Sequence, residues 1–259
     1  MIHPTALIDS ACKLEEGVEI GPFCRLSKRV KVGKGTRLRG SVFIEEGTEI
    51  GEGCDIGYGC VLGAPPEDLR YKGKPSYLRI GDGNILREYV TVHKATEEGE
   101  ETRIGDNNYI MAYVHIAHNC RIGNNTIITN GCQLAGYVEL DDYAVLGGMV
   151  GIHQFCRVGK YAMIGAYSYL DKDMPPFLIG RGNPVEIRGV NLVALRRYNF
   201  SEEKRRVLKE AYRIIFRQNL PLSRAIAKIE ENLSGFQEIE ELLEFLKNSK
   251  RGIPLRREK

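Results

Sequence analysis

The sequence contains no tryptophan, and all aromatic residues together make up only 8% of its 259 positions. No stretch approaches the roughly 18 consecutive apolar residues that a membrane-spanning helix needs, so no membrane span is expected. The opening MIHPTALIDS has neither the charged region nor the apolar run of a secretory signal. The expected location is therefore the cytoplasm. Net charge is only +3, too small an excess to argue by itself for a nucleic-acid partner. Histidine is scarce, with five residues in the chain, and the seven cysteines include no CxxC pair. What is present is ordinary in amount, at 42% hydrophobic and 27% charged, and enough to bury a real core.

Its arrangement is not ordinary. Stepping by six from Ile2 meets Ile8, Leu14, Ile20, Leu26, Val32, Leu38, Ile44, Ile50, Ile56 and Leu62 without a miss. Continued to Leu170, the series is aliphatic at 26 of 29 positions and fails only at Asp68, Lys74 and Glu98. A period of six suits neither a 3.6-residue helix nor a two-residue strand alternation. It is the signature of a parallel β-helix, in which each hexad makes one short side and three make a turn of 18 residues. The residue three after the aliphatic is often Gly or Asn, from Gly17 and Gly35 to Asn107, Asn119, Asn125 and Gly131. These residues accept left-handed backbone angles cheaply, as coil corners demand. The residue four after it is small, and all seven cysteines fall there. They read as buried core side chains rather than disulfides or a metal cluster.

The three failures fall in 64–79, which is rich in proline and charge, and in 93–103. Both read as loops thrown out from the coil, and loops on rigid repeats often carry function. The pattern stops near residue 173 at DMPPFLIGRGNP. From Ser201 three helical segments follow. The first is capped by Ser201 and places Val207, Ala211, Ile214 and Ile215 on one face. The expected organisation is a left-handed β-helix over 1–190 and a helical domain over 191–259.

Four of the five histidines lie between residues 93 and 153 of the coil. His118 sits two after Ile116 and His153 one after Ile152, and the two aliphatics are two turns apart. Both imidazoles therefore project from one side, about 10 Å apart along the axis. His115 lies at the adjoining corner, and His93 precedes the second loop. Such residues could be merely solvated, could bind zinc, or could include a general base that works near neutral pH. A spacing of about 10 Å is too wide for His118 and His153 to share one zinc ion within a subunit, since zinc–nitrogen bonds are about 2 Å.

The segments IMAYVHIAHNCRIG, GGMVGIHQFCRVG and GRGNPVEIRGVNLVALRR, with APPEDLRYKG and REYVTVHKAT, closely resemble the UDP-N-acetylglucosamine O-acyltransferases that begin lipid A synthesis. That resemblance covers essentially the whole chain. It implies transfer of a 3-hydroxyacyl chain from an acyl carrier protein thioester to the 3-position of a UDP-sugar, by a homotrimer without cofactor or metal. On the matching motifs His118 would be the general base, and the Gly136 N–H would face the oxyanion. His115, His153, Gln154, Asp68 and Arg70 would position the sugar and pyrophosphate. Asn191 and Arg197 would hold the nucleotide, and His93 and Ala166 would line the acyl chain. The chain departs from the family pattern at Asn119, where Asp is common. It also has Tyr137 for His, Arg70 for Lys, Val193 for an acid and Ala166 for Gly. Asn119 cannot itself lend charge to His118. N-acylation of a 3-amino UDP-sugar, an acetyl-CoA-dependent transfer, a zinc carbonic anhydrase and a purely structural coil are the competing readings. Finally, residues 181–228 carry twelve basic and four acidic side chains, a patch suited to an acidic carrier protein.

Overall fold

The computed structural model describes residues 1–255, so the last four positions of the expected helical domain lie outside the described residues. The coil is a left-handed parallel β-helix with three flat sides. Side one runs from Leu7–Ile8 to Tyr169–Leu170, side two from Lys13–Leu14 to Arg157–Val158, and side three from Glu19–Ile20 to Met163–Ile164 and beyond. Most strands are only two residues long, and the inward one is the aliphatic of the hexad. From Ile20 to Leu170 every such aliphatic is buried. Each contributes roughly 1.5–3 kcal/mol relative to exposure, and truncating Ile116 to Ala would cost about 2–5 kcal/mol.

The Gly and Asn corners do adopt positive φ, as at Gly35 (66°) and Asn119 (60°). Eleven other coil residues at the same phase do so too: Phe23, Arg29, Ser41, Tyr89, Tyr113, Tyr137, Tyr143, Met149, Phe155, Tyr161 and Tyr167. For a residue with a Cβ this costs about 1–2 kcal/mol. At six of the eleven, stacking on a ring of the adjacent turn offsets it. Tyr89–Tyr113, Tyr137–Phe155 and Tyr143–Tyr161 stack at centroid distances of 5.2, 4.8 and 4.6 Å, each contact contributing about 0.5–1.5 kcal/mol. The cysteines lie inside the corners as free thiols, six of them buried. Cys60 donates to the Arg87 carbonyl at 3.0 Å and Cys132 to that of Gly147 at 3.0 Å. Burial pushes the Cys60, Cys120 and Cys156 thiols up to about 12, so they are inert.

Both excursions leave between side one and side two. Ladder pairing reaches Ala64 and resumes at Tyr77, so the first loop is confined to 65–76, narrower than the 64–79 expected; the second is 94–100. Val61 pairs with Thr91, 30 residues on, and Thr91 with His115, 24 on. The loops thus add twelve and six residues to an 18-residue turn, which is why the hexad phase survives them. The coil also continues past residue 173. Met174 bridges Val158, and Ile164 pairs with Gly180, only 16 residues on. That shortened turn breaks the six-residue count without ending the coil. A hairpin of Leu178–Arg181 with Glu186–Val190 closes side three.

Four helices follow: α1 (Leu192–Arg197), α2 (Glu202–Arg217), α3 (Leu222–Asn232) and α4 (Gln237–Lys247). The last three correspond to the expected helical segments. The short α1 was not expected; it exists because the Asn191 side chain caps it. Leu208, Ile214, Ile229, Ile239 and Leu242 form a second core, joined to the coil through Phe177. Asp173 pins the two parts together, accepting from the Arg157 N–H at 2.9 Å and the Ser249 hydroxyl at 2.7 Å.

Candidate active site

The corner between sides one and two gathers most of the singled-out residues. Strands Val61–Ala64, Thr91–His93, His115–Ile116, Gln133–Leu134 and Gly151–Ile152 are successive neighbours on side one. Past their ends come loop 65–76, loop 94–100, His118–Asn119, Gly136–Tyr137 and Gln154–Phe155, stacked in that order. His118 and Gly136 are adjacent in this column. A Cβ built on Gly136 would lie 2.5 Å from His118 Cε1 and 2.7 Å from Nε2, so the imidazole lies directly over this glycine. Gly136 is not at the left-handed corner position, so its reason is space rather than backbone angle. Its carbonyl accepts from the Phe155 N–H at 3.1 Å, while its own N–H donates to none of the described residues. On the next corner the equivalent amides are used: the Asp82 N–H donates to Asp106 at 2.8 Å and the Asp106 N–H to Asn124 at 2.7 Å.

His118 is oriented from behind. Its Nδ1 is 3.0 Å from Asn119 Oδ1. The same Oδ1 accepts from the Thr96 N–H at 3.1 Å and the Thr96 hydroxyl at 3.0 Å, and Asn119 Nδ2 donates to Glu100 Oε2 at 2.6 Å. A backbone N–H can only donate and a carboxylate only accept, so the amide orientation is determined. Nδ1 of His118 therefore carries a hydrogen, so in the neutral imidazole the lone pair is on Nε2. Tyr137 stands edge-on to the imidazole at 5.4 Å, with its hydroxyl 3.1 Å from that of Thr96. Thr96 and Glu100 escaped sequence reading because they lie on a loop outside the repeat.

Asp68 is held by Arg70, through Nη2 at 2.8 Å, Nε at 3.1 Å and the backbone N–H at 2.9 Å. Those bonds keep its carboxyl well below the usual carboxylate range, with a smaller contribution from His118. His93 and His115 meet edge to face at 4.9 Å. Burial is the main reason that both imidazoles lie below their usual value; each is also lowered by His118 and raised by Glu67. His115 Nδ1 is 2.8 Å from the Thr91 hydroxyl. His93 is buried, and its Nδ1 has no hydrogen-bond partner among the described residues. Glu67, His93 and His115 bring three ligand atoms within 4.8 Å of one another, the group among the described residues that could hold a metal ion. Spacing alone could not show this, because the loops lie between their turns.

His153 and Gln154 stay on this corner, two turns from His118, whereas the remaining residues lie on other corners. Gln154 is exposed beside Phe155, and His153 Nδ1 is 3.1 Å from the Gln154 carbonyl oxygen. Ala166 is exposed on the corner between sides three and one. Asn191 is buried near the corner between sides two and three; its Oδ1 accepts from the Ala194 N–H at 3.3 Å and its Nδ2 donates to the Tyr161 carbonyl at 2.9 Å. It places the exposed Arg197 at the end of α1, beside Tyr198, which packs on Tyr143 and Tyr161. A charged concavity lined by Arg103, Arg121, Glu139, Arg157 and Phe245 lies on side two and includes none of these residues.

Residues 173–254 match the family described as UDP-N-acetylglucosamine O-acyltransferase, domain 2, and residues 101–136 match the bacterial transferase hexapeptide repeat. The acyl-[acyl-carrier-protein]–UDP-N-acetylglucosamine O-acyltransferase of Thermodesulfovibrio yellowstonii is 48% identical over 97% of this chain and 98% of its own. That of Sulfurihydrogenibium sp. is 49% identical over 97% and 93%. Among solved structures, the UDP-N-acetylglucosamine acyltransferase of Francisella novicida superposes with a TM-score of 0.96 at 38% identity, covering 99% of this chain and 94% of that one. The Bacteroides fragilis enzyme gives 0.95 at 39% identity, covering 99% and 100%.

Proposed function

The chain belongs to the UDP-N-acetylglucosamine O-acyltransferase family, and on that premise we propose that His118 is the general base of its reaction. The enzyme moves a 3-hydroxyacyl chain from acyl carrier protein to the 3-hydroxyl of UDP-N-acetylglucosamine, in the step that opens lipid A synthesis. His118 Nε2 takes the proton of the sugar hydroxyl as its oxygen attacks the thioester carbonyl carbon. The oxyanion that forms accepts a hydrogen bond from the Gly136 N–H. Collapse expels the carrier's thiolate, which recovers the proton from His118. The step needs no cofactor. The observation that carries this reading is the pairing of an oriented imidazole with the uncommitted amide beneath it.

Asp68 with Arg70, His115, His153 and Gln154 would bind the sugar and pyrophosphate from the surrounding turns and loop. Arg197, held out by Asn191, would bind phosphate. His93 and Ala166 would line the acyl chain. The methyl of Ala166 should shorten the preferred chain, so Ala166→Gly should favour longer acyl groups in competition assays. His118, Ala166 and Arg197 belong to three different corners of one prism. One bound substrate reaches all of them only where corners of neighbouring copies meet. The corner between sides three and one also exposes large apolar side chains in a row: Tyr89 (53%), Tyr113 (62%), Met149 (55%) and Tyr167 (79%). Such a stripe fits a subunit interface, and threefold packing of triangular prisms would give a homotrimer. Seven free thiols suit the cytoplasm.

The test supplies the protein with 3-hydroxyacyl carrier protein and either UDP-N-acetylglucosamine or its 3-amino analogue. Ester formation is expected with the first, and His118→Ala should lose it by about 10²–10⁴-fold while the coil stays folded. Turnover of the amino sugar alone would replace the acceptor assigned here; full activity in His118→Ala would remove the base.

A further inference from the structure

Asn119 sits where a charged partner for the base would be expected, yet the structure supplies a charge one bond further out. The Glu100 carboxylate accepts from Asn119 Nδ2 at 2.6 Å, and Asn119 Oδ1 in turn meets His118 Nδ1 at 3.0 Å. Among the described residues the Asn119 amide is the hydrogen-bond partner of the Glu100 carboxylate, so its charge faces the amide. Asn119 is buried, and Thr96 and Thr102 hold it in place: Thr96 through Oδ1, and the Thr102 hydroxyl by accepting from the Asn119 N–H at 2.7 Å. The amide cannot rotate away without losing several hydrogen bonds at once.

We propose that Glu100 is a positioning residue, whose carboxylate polarises Asn119 and so raises the basicity of His118 through the amide. This rests on His118 being the general base. An amide donating to a carboxylate becomes a better acceptor at its oxygen, because hydrogen bonds in a chain polarise one another; here the amide is buried, and Glu100 reaches it from the exposed loop. The stronger acceptor stabilises the imidazolium that forms when His118 takes the sugar proton. It also keeps Nδ1 protonated and Nε2 free. The loop at 94–100 thereby does more than cover the site, since it carries the charge that the residue beside the base lacks.

Glu100→Gln keeps an acceptor for Asn119 Nδ2 and removes the charge, so it separates electrostatics from packing. The expected result is a loss in kcat of about tenfold, with KM for UDP-sugar and acyl carrier protein little changed. The acidic limb of the kcat/KM profile should also move to lower pH, because an imidazolium without that support gives up its proton more readily. Adding Asn119→Asp to Glu100→Gln restores a carboxylate directly against Nδ1 and should recover most of kcat and the original limb. Asn119→Asp alone should itself lower kcat, because it would set two carboxylates where 2.6 Å now separates amide and acid. Unchanged kcat and pH profile in Glu100→Gln would overturn the relay, as would a loss that the double variant fails to rescue. His118→Ala is the control: if it keeps activity, the base assignment fails rather than the relay.

Discussion

At the scale of single residues, the tightest constraint is the imidazole over Gly136. Any side chain there must displace His118, since even a methyl would stand 2.5 Å from its ring. Gly136→Ala should lower kcat by about 10²-fold, the usual cost of moving a reacting group by an ångström. Its thermal midpoint should change far less, because His118 is only half-buried and lies outside the aliphatic core. A steady-state assay beside a melting curve checks both. His93 and His115 make a pH prediction. Burial lowers both imidazoles from their ordinary 6.5. Between that value and their folded values the unfolded chain binds more protons than the folded one. Their share of stability is therefore intact above about pH 6.5 and lost as pH falls below it. The thermal midpoint should drop on acidification from about pH 7.5 to 5, and His93→Gln with His115→Gln should flatten that slope.

At the scale of elements, the hexad period and the loops divide the labour. Two-residue strands cannot carry a site alone, so the coil sets positions along one corner and the excursions at 65–76 and 94–100 close over them. Helix α2 buries Val207, Leu208, Ala211, Ile214 and Ile215 and turns Arg206, Lys209, Arg213 and Arg217 outward on one face. Of these, Arg213 pairs with Glu210 at 2.9 Å, leaving the face strongly positive. Reversing Arg206 and Lys209 to Glu should raise KM for acyl carrier protein several-fold at low salt and less at high salt, with kcat nearly unchanged. An unaltered KM at low salt would remove this face from carrier binding.

At the scale of the whole molecule, the distribution of residues over three corners predicts a site shared between copies. Light scattering should report three times the mass of one chain. Tyr113→Asp with Tyr167→Asp should give monomers that keep β-helix circular dichroism but lose turnover. Mixed trimers of His118→Ala and Arg197→Ala chains should regain activity that neither variant has alone. If mixing restores nothing, both residues serve the same protomer's substrate.

The six-residue period was enough, by itself, to establish the coil, its inward aliphatics, the buried cysteines and both loops, because a repeat makes each turn's environment a copy of the last. It also placed His118 and His153 two turns apart, as Ile116, Leu134 and Ile152 are in the ladder. It did not foresee aromatic residues at left-handed corners, six of which stack on a ring one turn away, a contact that local preference does not encode. Helix α1 was likewise invisible, being six residues held by one cap. The six-residue count could not follow the coil's last turn, because that turn is two residues short. The base's surroundings were legible only in part: Asn119 could be seen to lack a charge, but only the folded loop brings Glu100 within 2.6 Å of it. Repetition writes local geometry into sequence, whereas contacts between a loop and a distant turn depend on where the chain returns in space.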